Sequence, residues 1–295
     1  MTRTEPQRRY RSSEEDSARW NGFAFRSGDI VISTRSKSGT TWVQMICALL
    51  VHHTADFPAP LHVMSPWLDW LVEPRADVIA RLEAQQHRRI IKTHTPLDGI
   101  PLDDRVTYIV TGRNPLDMAV SLYHQGGNID RARLAQLSGS ELPATTGDRP
   151  PLGDWLRSWI AWDDPPHENL DSLPGVMWHL SDAWDRRTAP NIVLVHYADL
   201  ASDLSGAMAR LADDLGVAVT ADDIAALAPA AGIEAMRARA ESTAPGGRVL
   251  KSSAAFFRRG GSGAGSEVLT AAELDEYDRR VRKLAPAPLL MWLHR

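Results

Sequence analysis

Cysteine is nearly absent from this sequence: Cys47 is the only one among 295 residues. One cysteine cannot form an internal disulfide, so the fold does not need an oxidising compartment. Because Cys47 lies in an apolar run, residues 43–51, we expect a small buried side chain rather than a reactive thiol. No cluster of cysteines and histidines has the spacing of a metal site, and no metal is predicted.

Long apolar runs and an excess of basic residues are also missing. No stretch approaches the roughly 20 apolar residues of a membrane-spanning helix. No apolar segment follows the charged N-terminal residues, so no signal peptide is predicted. The formal net charge of −4 argues against a nucleic-acid-binding surface but leaves room for a local basic site that binds a small anion. We therefore expect a cytoplasmic protein with no nucleic-acid partner; peripheral membrane contact and oligomeric state stay open.

The sequence does contain short β-branched runs that alternate with helical patterns. Strands are predicted at residues 29–33, 89–92, 106–110 and 191–196. Helices are predicted to begin near Thr40 and Pro115 and to cover residues 77–86, 154–162, 176–187, 204–215 and 274–284. This alternation predicts an α/β fold in which a central parallel sheet is flanked by helices in three layers.

A single domain is expected to span residues 1–295, with residues 1–27 as an N-terminal extension. Residues 126–153 are rich in Gly, Ser and Pro without a clear period, which predicts a long inserted loop or lid. Residues 244–266 combine glycines with basic residues and are predicted to be irregular as well.

The first predicted strand runs into a loop that contains Lys37 and Gly39, and a helix follows at Thr40. Free main-chain N–H groups at a helix start, together with the positive end of the helix dipole, favour a phosphate group. Lys37 adds a positive charge, and the loop hydroxyl groups are those of Ser38, Thr40 and Thr41. An ordinary capped turn between a strand and a helix has the same layout, so the layout alone leaves both interpretations open.

The order of residues distinguishes this loop from a nucleoside-triphosphate P-loop, in which the lysine follows the last glycine. Here Lys37 precedes Gly39, and Trp42 follows on the helix, where its ring can stack on a purine. The run Lys-Ser-Gly-Thr-Thr-Trp at residues 37–42 resembles the 5′-phosphosulfate loop of the cytosolic sulfotransferases.

Two segments in the first half of the chain carry the same resemblance. Lys-Thr-His at residues 92–94 is similar to the segment that supplies the catalytic histidine of this family. Residues 108–121 resemble the 3′-phosphate motif, and the resemblance makes Arg113 and Ser121 its binding positions.

Two further segments lie in the second half. Residues 196–200 are similar to a Tyr-Glu-Asp-Leu stretch of the family, which makes Tyr197 an adenine contact. Ile233 stands where the family usually has a phenylalanine against adenine. Residues 256–260 resemble the Phe-x-Arg-Lys-Gly box, with Arg259 in place of lysine.

The resemblance extends over residues 29–284 and implies a P-loop-like fold with three layers. Within the family, residues 85–99 look most like mycobacterial glycolipid sulfotransferases. After Gly263 the family usually continues Asp-Trp-Lys-Asn, whereas residues 264–267 read Ala-Gly-Ser-Glu. We therefore expect this part of the loop to be looser or to reach other partners.

The resemblance implies an enzyme that transfers the sulfuryl group of 3′-phosphoadenosine-5′-phosphosulfate (PAPS) to a hydroxyl group of an apolar acceptor, without a metal. His94 is then the general base, and Lys37 and Lys92 stabilise the developing negative charge. The donor-binding residues that it implies are Lys37, Ser38, Gly39, Thr40, Thr41, Trp42, Arg113, Ser121, Tyr197, Ile233, Arg258, Arg259 and Gly260. A glycolipid is one possible acceptor, and a small phenol or secondary metabolite is the alternative.

Two other functions remain open on the residues alone. A nucleotide-dependent kinase of similar architecture is disfavoured by the position of Lys37 and by the lack of an obvious Mg²⁺-binding carboxylate after a strand. A non-catalytic nucleotide-binding protein is disfavoured because both Lys37 and His94 are present.

The sequence contains ten tryptophans. Trp67 or Trp70 is expected to line the acceptor pocket, since both follow the first helix in the part of the chain that the resemblance assigns to the acceptor. Trp155, Trp159 and Trp162 fall on one helical face, and core packing is predicted for most of the tryptophans.

Overall fold

Four parallel strands make the central sheet of the computed structural model, which describes residues 2–141, 149–258, 261 and 263–295. In chain order, the six strands of the described residues are β1 (Arg3–Thr4), β2 (Ile30–Ser33), β3 (Ile90–Thr93), β4 (Leu102–Asp103), β5 (Thr107–Gly112) and β6 (Ile192–His196). The central sheet has the order β3-β2-β5-β6, and β1 and β4 form a separate antiparallel pair. In the central sheet Ile30 is paired with Ile90 and with Thr107, and Tyr108 is paired with Ile192. The prediction of a parallel sheet is confirmed, and each central strand begins one residue later than predicted.

Helices connect the strands and cover both faces of the sheet. They are α1 (Thr40–His52), α2 (Leu61–Met64), α3 (Arg75–Ala84), α4 (Pro115–Asn128), α5 (Arg131–Ser138), α6 (Leu152–Ala161), α7 (Leu173–Asp185), α8 (Tyr197–Ser202), α9 (Leu204–Leu215), α10 (Ala221–Ala231), α11 (Ile233–Ala238), α12 (Ala240–Thr243), α13 (Ser253–Phe256), α14 (Ala271–Leu284) and α15 (Ala287–Leu293). Within the described residues, no helix combines the length and the apolar character needed to span a bilayer.

Side chains of the central strands alternate between two hydrophobic clusters, as the period of a β-strand requires. Ile30 and Ile32 pack in the cluster that contains α1, α9 and α10. Val31 packs in the opposite cluster, with residues of α4, α6, α7 and α14. The sheet therefore has a helical layer on each face, and the predicted three-layer α/β fold is confirmed.

The N-terminal segment packs in the same hydrophobic cluster as Val31. Trp20, Phe23 and Phe25 are buried, and their rings contact one another at centroid distances of 5.1 to 6.0 Å. Phe25 also meets Tyr108 of β5 edge to face. The part of the N-terminal segment from Trp20 to Phe25 thus covers one face of the sheet.

Two predictions about helical segments need correction. Residues 126–153 were expected to form a loop, but α4 continues to Asn128 and α5 lies within this range. The side chain of Asp130 caps α5 by accepting from the N–H of Arg133, and Gly139 ends it with φ +68°. Residues 142–148 of the predicted lid lie outside the described residues. Trp162 follows the end of α6 and is 42% exposed, so it is an exception to the core packing predicted for most of the tryptophans.

Candidate active site

The carboxyl ends of β2, β3 and β5 lie along one edge of the sheet, where ligands of parallel α/β folds commonly bind. A cavity of about 420 Å³ opens at this edge. The predicted site residues that line it are Lys37, Gly39, Thr40, Thr41, Trp42, Lys92, His94, Arg113, Ser121, Tyr197, Ile233 and Arg258. The ends of β2, β3, β5 and β6, together with α11 and the segment after α13, therefore bring together residues that are far apart in the sequence.

The remaining predicted residues do not join this lining. The hydroxyl of Ser38 turns back into its own loop and donates to the carbonyl of Arg35 at 2.5 Å. Its contribution is to hold the loop in shape rather than to present a hydroxyl to a ligand. Arg259 and Gly260 lie outside the described residues.

The loop between β2 and α1 has the backbone of an anion cradle. Lys37 and Gly39 both have positive φ, at +65° and +113°. A Cβ atom at Gly39 would lie 3.1 Å from Cδ2 of Tyr197 and 3.4 Å from Cγ2 of Thr111. Glycine therefore suits this position both in backbone conformation and in available space. Gly39 is the N-cap of α1, so the first N–H groups of that helix have no acceptor within the helix.

Positive charges surround the start of α1. The Nζ atom of Lys37 lies 3.7 Å from the centroid of the Phe256 ring. Burial, and the charges of Arg113, Lys92 and Arg258, lower the pKa of Lys37 to about 7. Cations that repel one another in a partly dry cavity are stabilised by a bound anion, so this end of the cavity suits phosphate groups.

Arg113 connects three segments around this end of the cavity. Its Nη1 donates to the carbonyl of Lys37 at 3.0 Å, and its Nη2 donates to the carbonyl of Gly261 at 2.9 Å. Its guanidinium carbon lies 4.1 Å from the centroid of the Tyr197 ring. The guanidinium is thus held between the loop that joins β2 to α1 and the segment that contains Gly261.

Trp42 and Tyr197 form the aromatic part of the same wall. Their ring centroids are 5.2 Å apart, with an angle of 74° between the planes. The Nε1 atom of Trp42 is buried and has no hydrogen-bond partner among the described residues. Ile233 begins α11 and lines the cavity together with Met236 of the same helix. This wall offers flat and apolar surfaces of the kind that a purine ring packs against.

His94 is 5% exposed and follows directly after β3. Its Nδ1 is hydrogen-bonded to the carbonyl of Thr34, which can only accept, so Nδ1 carries the proton and Nε2 keeps a lone pair. Burial, and then the charges of Lys92 and Arg35, lower the pKa of His94 well below its usual value. The imidazole is therefore neutral at physiological pH and can act as a base through Nε2.

Lys92 and two tryptophans lie beside His94. The Nζ atom of Lys92 is 3.8 Å from the centroid of the Trp67 ring, and burial lowers the pKa of this lysine to about 8. The ring of Trp67 meets His94 edge to face at 4.5 Å. Trp70 is stacked on Trp67 at 4.8 Å with an angle of 11° between the planes. Both tryptophans line the cavity, as the sequence predicted for one of them.

Several lining residues were not predicted from the sequence. The acidic ones are Glu14, Glu15 and Asp171; the basic ones are Arg131 and Arg149; the apolar ones include Ile129, Leu134, Trp155, Val249 and Leu250. The acidic residues belong to no motif, and only the folding of the N-terminal segment brings Glu14 and Glu15 here. The helix that carries Leu134, α5, could have been predicted from its capping residues, Asp130 and Gly139. The part of the chain that the structure describes contains no group of three or more metal-ligating side chains.

Solved structures of similar fold are sulfotransferases and a dehydratase. A mouse sulfotransferase in complex with PAP superposes with a TM-score of 0.70 at 17% identity, covering 93% of this chain and 91% of that one. Retinol dehydratase in complex with androsterone and PAP superposes with a TM-score of 0.66 at 20% identity, covering 90% and 82%. At these identities the likeness establishes the fold.

Similar sequences establish the family. A glycolipid sulfotransferase of Mycobacterium bovis is 43% identical over 305 residues, which cover 97% of this chain and 93% of the relative. A glycolipid sulfotransferase of Mycobacterium tuberculosis is 42% identical, with the same coverage of both chains. The family model described as the sulfotransferase domain matches residues 27–286. Because the family model matches most of the chain and the two relatives match nearly all of it, this protein belongs to the sulfotransferase family.

Proposed function

We propose that this sulfotransferase moves the sulfuryl group of PAPS to a hydroxyl group of an amphipathic acceptor, and that the acceptor is a glycolipid. One observation carries the proposal. A neutral histidine, His94, shares a cavity with a helix N-terminus surrounded by cations. A base and an anion site in one cavity suit transfer of a charged group to a hydroxyl.

The described residues fit a bisphosphorylated adenosine. The missing Cβ at Gly39 lets the ring of Tyr197 pack against the loop, and the first N–H groups of α1 would bind a 5′-phosphate. Arg113, Ser121 and Arg258 would hold the 3′-phosphate, and the resemblance adds Arg259 and Gly260 to them. The adenine ring would pack against Trp42, Tyr197 and Ile233.

The proposed reaction is an in-line displacement at sulfur. PAPS supplies the sulfuryl group when bound. Nε2 of His94 takes the proton from the acceptor hydroxyl as the bond between the acceptor oxygen and sulfur forms. The bond between sulfur and the oxygen of the 5′-phosphate breaks, and Lys37 and Lys92 stabilise the negative charge on that oxygen and on the group in transfer. The products are a sulfate ester and adenosine 3′,5′-bisphosphate (PAP).

The acceptor side of the cavity supports an amphipathic substrate. The apolar side chains of Leu134, Val249 and Leu250 form one part of it, close to the stacked tryptophans. The relatives named above are glycolipid sulfotransferases, and an acceptor with a lipid tail fits this lining. We further propose that the enzyme works in the cytoplasm. We also propose that it needs no metal, which is tested by measuring its activity in the presence of EDTA.

Titration calorimetry with PAP tests the donor site directly. We expect one binding site per chain, strong weakening in Arg113→Gln, and no change in Arg210→Gln, which alters an exposed arginine on α9. Incubation with labelled PAPS and lipid extracts then tests the acceptor, and label should enter a glycolipid fraction. Absence of PAP binding contradicts the proposed function; transfer to simple phenols alone contradicts the glycolipid.

A further inference from the structure

The N-terminal segment is joined to the loop that carries Trp70 by main-chain hydrogen bonds. The N–H of Asp16 donates to the carbonyl of Asp69 at 2.9 Å, and the N–H of Leu71 donates to the carbonyl of Glu14 at 2.8 Å. Glu15 and Trp70 form an antiparallel bridge between these bonds. The side chain of Glu15 is thereby fixed in the cavity wall beside Trp70.

Three acidic side chains line this wall, and their surroundings differ. The carboxylate of Asp171 is already engaged, because it accepts from Arg35 at 2.6 Å and from the hydroxyl of Ser36 at 3.2 Å. Glu14 and Glu15 have no side-chain hydrogen bond or ion pair with the described residues. Of these two, Glu15 is the one paired with Trp70, whose ring stacks on Trp67 beside His94. Glu15 is therefore the free carboxyl that the main-chain pairing joins to the tryptophans next to His94.

The carboxyl of Glu15 is largely neutral at physiological pH. Burial raises its pKa to about 8; the charge of Arg35 opposes this, and the charges of Asp69, Asp171 and Glu14 add to it. A protonated carboxyl both donates and accepts hydrogen bonds, as a hydroxyl group does. It is thus matched to a neutral hydroxyl partner.

Trp70 supplies a second unsatisfied polar group in the same wall. It is 6% exposed, and its Nε1 is buried without a hydrogen-bond partner in the described part of the chain. A buried donor without a partner is costly unless a ligand or water satisfies it. The wall thus runs from His94 through Trp67 and Trp70 to Glu15, with ring contacts between the first three.

The charges around the cavity indicate the kind of head group that this wall accepts. Lys37, Arg113 and Arg258 stand at the donor end, and Lys92 lies over Trp67. These cations disfavour a positively charged acceptor. A neutral ring bearing several hydroxyl groups can instead pack on the indoles and hydrogen-bond to the carboxyl.

Resting on the proposed function, we infer that Glu15 and Trp70 form a subsite for a second hydroxyl group of the acceptor, remote from the one that reacts. Glu15 is then a specificity-determining residue that selects a polyhydroxylated head group over a single hydroxyl on the same tail. The reacting hydroxyl lies at His94, and the alkyl tail lies along Leu134, Val249 and Leu250.

Octyl β-D-glucoside and 1-octanol test this subsite, because they share a tail and differ in the head group. With PAPS as donor, the wild-type protein should favour the glucoside. Glu15→Ala should lower kcat/KM for the glucoside about tenfold more than it lowers kcat/KM for 1-octanol, mainly through KM. Glu15→Gln should keep most of the preference, because an amide also donates and accepts. Glu83→Gln, at an exposed glutamate of α3, is the matched control.

The pH dependence separates recognition from a structural role and does not need the alanine variant to fold. The preference of the wild type for the glucoside should decline above about pH 8 as Glu15 ionises, whereas that of Glu15→Gln should not. The charged groups that face Glu15 are Glu14, Arg35, Asp69, Lys92 and Asp171, and all are the same in both proteins.

Equal losses on both acceptors in Glu15→Ala, or parallel pH profiles in the wild type and Glu15→Gln, overturn the inference. So does a wild type that binds PAP but shows no preference for the glucoside or does not turn it over. These results leave sulfuryl transfer itself in place. A wild type that neither binds PAP nor transfers label to any acceptor removes the proposed function, and the subsite with it.

Discussion

The carboxylate of Asp117 accepts a hydrogen bond from the main-chain N–H of Gly263 at 2.8 Å. It accepts a second from the N–H of Gly265 at 3.0 Å, and Asp117 itself is 2% exposed. A Cβ atom at Gly265 would lie 2.3 Å from Cβ of Leu116, so this glycine is also in close contact with α4. The loop after Gly263 was expected to be looser or to reach other partners; it is not loose, because Gly263 and Gly265 are hydrogen-bonded to the helix that follows Arg113.

This tie predicts that Asp117→Ala weakens donor binding. The buried N–H of Gly265 loses its acceptor, which should lower the free energy of unfolding by about 1–3 kcal/mol. The loop next to Gly261, whose carbonyl accepts from Arg113, also loses a hydrogen bond, and the Kd for PAP should rise about tenfold. Calorimetry and denaturant unfolding measure the two effects. Asp222→Ala, at an exposed position of α10, should change neither, and unchanged PAP affinity in Asp117→Ala would show that the tie is not needed for binding.

Gly39→Ala should impair the phosphate loop in two ways. An alanine at φ +113° is strained by about 1 kcal/mol or more, and its Cβ would lie 3.1 Å from Tyr197. Gly216→Ala is the control, because Gly216 also has positive φ, at +63°, but has nothing within 4 Å of a Cβ. We expect a loss of thermal stability in both variants, larger in Gly39→Ala, and weaker PAP binding in Gly39→Ala alone. Equal PAP affinity in the two would refute the close fit of the loop.

His94→Ala should lower turnover on the order of 10²-fold or more, because the acceptor proton loses its base. PAP binding should stay close to that of the wild type, since His94 lies on the acceptor side of the transferred group. His167→Ala, at an exposed histidine, should retain full activity. Single-turnover measurements with labelled PAPS isolate the chemical step. Near-normal turnover with intact PAP binding would exclude His94 as the base.

Donor affinity should fall as pH rises through about 7. Lys37 has a pKa of about 7 in the free protein, so its charge is present below this pH and is lost above it. A bound phosphate favours the charged form, and PAP binding near pH 8 should therefore take up a proton. Calorimetry in buffers of different ionisation enthalpy detects the uptake. Lys37→Arg keeps its charge and should show neither the decline nor the uptake at Lys37; identical profiles in both proteins would assign the titration elsewhere.

Much of the donor side could be predicted because its signals are contiguous. Each central strand is a short β-branched run, and the residues that follow β2, β3 and β5 must meet at one sheet edge once the strands are parallel. Lys37, His94 and Arg113 were placed together for this reason. The donation of the Ser38 hydroxyl to the carbonyl of Arg35 was not predicted, because the direction of a hydroxyl depends on the turn around it.

The missed elements depend on contacts between distant parts of the chain. The helix α5 was not predicted because it lies in a Gly-rich stretch, although the capping residues Asp130 and Gly139 mark its two ends. Trp162 fell on the apolar face of a helical pattern, but α6 ends at Ala161 and leaves it exposed. A periodic pattern does not specify where a helix ends when the capping signal is weak.

The sequence by itself determined the parallel sheet, because short β-branched runs that alternate with helical patterns specify it locally, and the family resemblance of residues 37–42 and 92–94 implied the phosphate loop and the base. The acceptor wall was decided only by tertiary structure. Glu15 has no local motif and reaches the cavity because Trp20, Phe23 and Phe25 bury themselves on the sheet and because main-chain bonds join its segment to that of Trp70. Such a contact is the sum of many weak interactions over long separations, and no short stretch of sequence encodes it.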